Sequence, residues 1–88
     1  MEKHLLVGSK PIMTYVMAAM TRFSNGSPTI IVKARGNSIK KAVDIVEIVR
    51  NRYVKNAKIS AVVIGTEKLE NMNKKLVSVS TIEISLSK

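Results

Sequence analysis

The sequence predicts an α/β fold, a two-layer α+β sandwich of element order βαβαββ, and three observations predict it. Leu5-Leu6-Val7 and Thr29-Ile30-Ile31-Val32 are unbroken apolar runs with the length of buried strands. Each is followed by a small, polar, basic junction and then by apolar residues at helical spacing. The last third of the chain, from Ile59 to Leu86, loses the helical period and reads as two strands. With 88 residues, 45% of them hydrophobic, the chain has the size and apolar content of a single domain spanning 1–88.

The elements follow in order. Gly8 closes the first strand, and Pro11 suits the first turn of a helix because a missing N–H costs nothing there. Ile12, Val16, Ala19, Met20 and Phe23 form one stripe, so the first helix is expected from about Pro11 to Asn25, where Asn25-Gly26 supplies a left-handed stop. The second strand, opened by Pro28, runs to about Ala34 before Gly36. Asn37 or Ser38 is expected to cap a long helix whose stripe is Ile39, Ala42, Val43, Val46, Val49 and Tyr53. A strand from Ile59 to Gly65 and another from Leu76 to Leu86 should pair as a hairpin, with the polar stretch Glu67 to Lys75 as a projecting tip. In the last strand Val77 and Val79 fall on one face, and Ile82, Ile84 and Leu86 on the other. That slip at Ser80-Thr81 predicts a bulge or a change of partner, with the outer part in an arm and the inner part in the main sheet.

Composition narrows the function. Fifteen Lys and Arg against six Asp and Glu give a net charge of +9, which points to a polyanionic partner. No Cys and a single His remove disulfides, thiolate sites and a His-based metal cage, so no cofactor is expected. No apolar run reaches a membrane span and no export signal is visible at Met1 to Gly8, which predicts no membrane partner and a cytoplasmic or nucleoid location. So small a core also predicts an oligomer.

The positive charge converges on the two strand-to-helix junctions, Gly8-Ser9-Lys10-Pro11 and Ala34-Arg35-Gly36-Asn37-Ser38. If the first two strands are parallel neighbours, both junctions leave the sheet at one end and open onto helix N-termini, whose free N–H groups attract phosphate. Lys40 and Lys41 add charge in a first turn that normally prefers acids. A solvated basic face is the plainer account of the same residues. Gly8-Ser9-Lys10 lacks the glycines of a nucleotide-binding P-loop. Asp44 and Glu47 stand one turn apart, as a magnesium nuclease would require, but the neighbouring Lys40, Lys41, Arg50 and Asn51 make a surface salt-bridge lattice the better reading. No catalytic constellation assembles, and the protein is not expected to be an enzyme or to take a small-molecule substrate. Of the three aromatics, Tyr15, Phe23 and Tyr53, two fall in helical patterns expected to face the core, which favours duplex backbone binding over base stacking.

Several ordered blocks resemble the Alba family of small basic archaeal chromatin proteins. They are Val7-Gly8-Ser9-Lys10-Pro11 with Met13 and Tyr15-Val16, Lys33-Ala34-Arg35-Gly36 with Ile39 and Lys41-Ala42-Val43-Asp44, and Val46 to Tyr53. Ile64-Gly65-Thr66-Glu67 and Val79 to Ile84 complete the set, so the resemblance covers His4 to Lys88. It implies a fold similar to the C-terminal domain of bacterial translation initiation factor three, a homodimer, and binding of double-stranded DNA and of RNA with little sequence preference. An RNA chaperone or a subunit of an RNA-processing particle is the alternative it also permits. Carried over by position, it implies nucleic-acid contacts at Lys10 and Arg35 and on the arm tip from Asn71 to Lys75, and a dimer–dimer contact on DNA at Tyr53 with Arg52 beside it. Ser9, Asn37, Lys40 and Lys41 complete the body interface read from the junctions, with Lys74 and Lys75 on the arm. Three positions depart from the family pattern. Ser9 replaces the first of two lysines, a site of regulatory acetylation, and leaves Lys10 as the loop's remaining target. Asn37 replaces a basic residue, and Lys74-Lys75 replaces Gly-Arg in the arm.

Overall fold

The structure, a computed structural model, describes residues 3–88; Met1 and Glu2, where the reading of the N-terminus begins, lie outside the described residues. The observed order is β1 (His4–Leu6), α1 (Ile12–Ser24), β2 (Thr29–Arg35), α2 (Ile39–Ile48), β3 (Lys58–Glu70) and β4 (Leu76–Ser87), the expected βαβαββ. The four strands form one sheet in the order β1-β2-β4-β3, parallel between β1 and β2 and antiparallel elsewhere.

Alternation decides which face is buried. Leu5, then Ile30, Val32 and Ala34, then Ile82, Ile84 and Leu86 point to one side and meet Tyr15, Val16, Ala19 and Phe23 of α1 and Ala42, Ile45 and Val46 of α2. Each fully buried Val, Ile or Leu there contributes about 1.5–3 kcal/mol relative to an exposed one. His4, Leu6, Lys33 and Arg35 fall on the opposite, open face.

α1 ends where the sequence places its stop. Gly26 adopts φ +96°, its N–H donates to Phe23 O, and Ser27 N–H donates to Arg22 O, the paired bonds that close a helix with a left-handed glycine. The start of α2 departs from expectation. Gly36–Ser38 form a 3-10 turn, opened by Gly36 at φ +57°, and neither Asn37 nor Ser38 caps α2 with its side chain. An added Cβ at Gly36 would meet Val79 Cγ1 at 3.4 Å, ordinary contact, so it is the positive φ that favours glycine there. At its other end α2 continues into a π turn, Val49–Tyr53, with Val54 N–H donating to Val49 O at 2.7 Å. Widening the turn rotates later residues off the apolar stripe, so Val49 is buried while Tyr53 is 46% exposed.

The hairpin corrects one expectation and decides between the two alternatives of another. β3 does not stop at Gly65; it pairs with β4 as far as Glu70↔Leu76, leaving only residues 71–75 as the connection. Glu67 to Glu70 read as loop because they are polar, yet an arm of two strands meets water on both faces and needs no apolar pattern. Nor does Ser80-Thr81 hold a bulge. β4 pairs with β3 continuously from Leu76 to Ser87, and the register shift lies in β3 between Ile59 and Ala61. What changes at Thr81 is the partner: β2 joins β4 there, through Arg35↔Thr81, so β4 is central below this point and half of a free arm above it. The molecule is accordingly long, 44 × 24 × 23 Å.

Candidate nucleic-acid interface

Because β1 and β2 are parallel neighbours, both strand-to-helix junctions emerge at the same end of the sheet. They abut. Lys41, from the first turn of α2, donates from Nζ to Gly8 O at 3.0 Å and to Lys10 O at 2.9 Å in the first loop. Tyr15 holds the same loop from the other side: its buried hydroxyl accepts the Gly8 N–H at 2.8 Å and the Lys10 N–H at 3.2 Å. One ammonium takes two loop carbonyls and one phenol oxygen takes two loop N–H groups, so Gly8 to Lys10 has a defined shape before any ligand arrives. The Ser9 and Lys10 side chains are exposed on it. Neither α1 nor α2 has an acid in its first turn or a side-chain cap; Thr14 N–H turns back to Pro11 O and Ile39 N–H to Gly36 O, so the positive ends of both helices lie beside these cations with no carboxylate to offset them.

The other expected residues take different positions. Asn37 is exposed within the 3-10 turn. Lys40 is almost wholly exposed and pairs with Asp44 at 2.9 Å, which raises its pKa first through that hydrogen bond. Arg35, at the end of β2, faces the open side of the sheet and donates from Nη1 to Glu67 Oε2 at 3.0 Å. Lys33 lies 3.9 Å from Glu83 on the same face. Leu6, Val7, Lys33, Ala34, Arg35, Glu67, Thr81 and Ile82 line a cleft of about 280 Å³ there. Lys74 and Lys75 sit at the far tip of the arm, remote from the junctions along the chain's long axis. Asn71 shapes that tip, with Oδ1 accepting the N–H groups of Asn73 and Lys75 at 2.9 and 3.0 Å. Arg52 and Tyr53 are exposed on the π turn.

Asp44 and Glu47 are held as the salt-bridge lattice predicts, Asp44 by Lys40 and Glu47 by both Nε and Nη2 of Arg50. The hydrogen bond from Arg50 lowers the Glu47 pKa, and the reciprocal bond raises that of Arg50. Among the described residues no three His, Asp or Glu side chains gather as a metal site, and no helix is long and apolar enough to cross a membrane.

Sequence reasoning missed two participants. Tyr15 counted only as an aromatic, although a helical side chain one turn in leans back toward the N-terminus and so toward the loop before it. Glu67 was assigned to a loop, and only the β3–β4 register brings it beside Arg35.

Fold and junctions together define a small βαβαββ module with cations gathered at one end of its sheet and on a hairpin arm. Residues 3–66 match the Alba family profile. The chain is 44% identical over 87 residues to the DNA/RNA-binding protein Alba of Thermoplasma acidophilum, covering 99% of this chain and 97% of that one. It is 42% identical over 84 residues to the protein of the same name from Methanocella arvoryzae, covering 96% of this chain and 88% of the relative. The solved structure of Alba from Thermoplasma volcanium superposes with a TM-score of 0.93 at 44% identity, over 97% of this chain and 99% of that one. An Alba protein of Trypanosoma brucei shares the fold, with a TM-score of 0.80 at 20% identity over 98% of this chain and 68% of that one. The chain belongs to the Alba family, whose members here carry the names of binding proteins and not of enzymes.

Proposed function

We propose that this protein is a single-domain, sequence-nonspecific binder of double-stranded DNA. As a homodimer it coats and compacts the chromosome through phosphate contacts and its arms, and it also binds RNA. The observation that carries the reading is the clasp at the sheet end, where Lys41 ties the two basic junctions together beside two helix N-termini that have no side-chain cap and no first-turn acid. Such a surface suits phosphate oxygens and reads no base edges, which is chemistry for positioning on a backbone without sequence preference. Ser9, Lys10, Arg35, Asn37, Lys40 and Lys41 form the body contact, with Lys74 and Lys75 on the arm. Lys41 contributes chiefly by shaping the first loop, since its ammonium already serves two carbonyls.

Dimerisation is supported by what β3 exposes. Ile59, Val62 and Ile64 pair across from the buried Leu86, Ile84 and Ile82, so they continue the apolar face, yet all three remain exposed in the single chain. A second copy is the occupant that family membership and this continuity favour. Val62→Asp leaves the monomer core intact and should convert a dimer to a monomer in sedimentation equilibrium. Tyr53 and Arg52, exposed on the π turn, supply the contact between dimers along DNA. The site of action is the cytoplasmic nucleoid.

The test is a salt titration against matched DNA and RNA duplexes from about 50 to 200 mM, where phosphate-driven binding changes steeply. A dimer neutralising about eight phosphates gives a slope of log K against log salt near −7. Arg35→Ala should weaken binding to every sequence alike. Equal, steep curves for both duplexes support a general backbone binder, whereas an RNA preference that persists at high salt moves the primary role to RNA, the second target in the relatives' names. Weak, flat curves for both defeat the proposal.

A further inference from the structure

Arg35 is a central cation of the proposed body contact, and it is already occupied. Its guanidinium lies 3.0 Å from the Glu67 carboxylate, while the two side chains stay 60% and 51% exposed. Glu67 belongs to β3 opposite Val79, just past the point where β2 leaves β4, so it stands at the root of the arm. The pair links the last residue of β2 to that root across the intervening β4. Among the described residues no acid pairs in this way with Lys10, Lys41, Lys74 or Lys75; Arg35 and Lys40 are the expected contacts that carry one. Lys40 finds its acid one turn away on its own helix, but Arg35 receives its acid from a different strand.

We propose that Glu67 is an affinity-setting residue of this interface, an internal stand-in for phosphate that a nucleic-acid backbone must displace from Arg35. The inference rests on the nucleic-acid reading above. Carboxylate and phosphate both present oxygens that suit the guanidinium fork, and they compete for the same donors. An exposed ion pair is weak, so displacement is readily reversible. After displacement the carboxylate remains near the incoming phosphate and repels it. Loss of the pair and the repulsion that follows together weaken binding roughly threefold per protomer, and up to about tenfold where the interface excludes some water; both depend on Arg35, which forms the pair and draws the phosphate to that point. Because Glu67 is part of the arm, the same exchange unties the arm's root from β2 as the body seats.

A double-mutant cycle tests this. Wild type, Glu67→Gln, Arg35→Gln and the double variant are titrated with one duplex DNA at several salt concentrations, with Glu70→Gln as a second arm acid for comparison. Glu67 and Arg35 are exposed, so thermal unfolding should show all variants folded. The expected result is about three- to tenfold tighter binding by Glu67→Gln, with most of that gain absent in the Arg35→Gln background and a smaller gain for Glu70→Gln. Equal gains in both backgrounds, or equal gains from Glu70→Gln, would mean that removing any negative charge suffices, and the inference falls. Unchanged or weaker binding by Glu67→Gln also overturns it, the latter because Glu67 would then be holding Arg35 in its binding pose. If no variant binds duplex, the nucleic-acid reading fails as well, and the two failures are distinct.

Discussion

In the body, Ile82, Ile84 and Leu86 of β4 are almost wholly buried, whereas their cross-strand partners in β3, Ile64, Val62 and Ile59, are 77%, 54% and 42% exposed. The residue types and the face are the same. The difference is that α1 and α2 cover β1, β2 and β4 but not β3. Burial here is therefore decided by the second layer, and an edge strand such as β3 can be paired along its whole length with β4 while its side chains still lack a partner. The arm extends this condition to its limit: beyond Thr81 it is held by its own ladder, by the Asn71 turn and, at its root, by the exposed Arg35–Glu67 pair. The body carries its own core, whereas β3 and the arm leave their apolar side chains uncovered in the single chain.

The sharpest way to break the comparison is to truncate one residue from each side of a cross-strand pair. Ile84→Ala removes a side chain that is 3% exposed and should cost about 2–5 kcal/mol in chemical denaturation. Val62→Ala, directly opposite, should cost under about 1 kcal/mol when measured at low protein concentration. Equal losses would mean that β3 is packed in the isolated chain after all.

Next in size is Tyr15→Phe. The ring keeps its packing, but the Gly8 and Lys10 N–H groups lose their acceptor, which should cost about 1–3 kcal/mol. Duplex affinity should fall as well, because the loop carrying Ser9 and Lys10 loses its shape. An affinity that drops no more than stability at equal folded fraction would show that the loop's pre-set form is irrelevant to binding.

The arm offers a smaller effect of opposite sign. Lys74 sits at φ +60°, a left-handed conformation that costs a side-chain-bearing residue about 1 kcal/mol and that glycine adopts freely. Lys74→Gly should relieve the turn while removing one cation, so hydrogen exchange at Asn73 and Lys75 should slow as the salt slope becomes shallower. Faster exchange would show that the lysine stabilises the tip in some other way.

How much of this was legible in the sequence divides along the same line. The order of elements, the α1 stripe and the Asn25-Gly26 stop follow from local periodicity and local backbone preference, and the structure agrees with them; the expected α2 stripe holds at Ala42, Val46 and Val49, but Val43 and Tyr53 are exposed and Ile45, absent from it, is fully buried. The family blocks likewise led to the right fold. The length of β3 was not legible, because polar Glu67 to Glu70 carry no core signal and their strand character depends on β4 alongside. The site shows the same split. Two basic junctions at one sheet end could be inferred from parallel pairing, but not that Lys41 would bond backbone instead of standing free, nor that Arg35 would find Glu67. Charge can be counted along a chain; what each charge is bonded to depends on register.

The smallest effect lies on the outer face of α2, where the Arg50 hydrogen bonds hold the Glu47 carboxyl below its ordinary value of 4.5. A carboxyl whose folded-state pKa is depressed stabilises the fold above its unfolded pKa, and that contribution is lost as pH falls through the lowered folded value. The pair is exposed on both sides, so solvent screens it and the contribution is slight. Glu47→Gln should accordingly lower Tm a little at pH 7, and the gap between variant and wild type should close once the pH is well below 4.5. Salt should narrow the gap at pH 7 in the same way. A gap that stays constant from pH 7 to pH 3 would mean that Glu47 contributes through packing along the helix and not through its charge, and the lattice on α2 would then be incidental to stability.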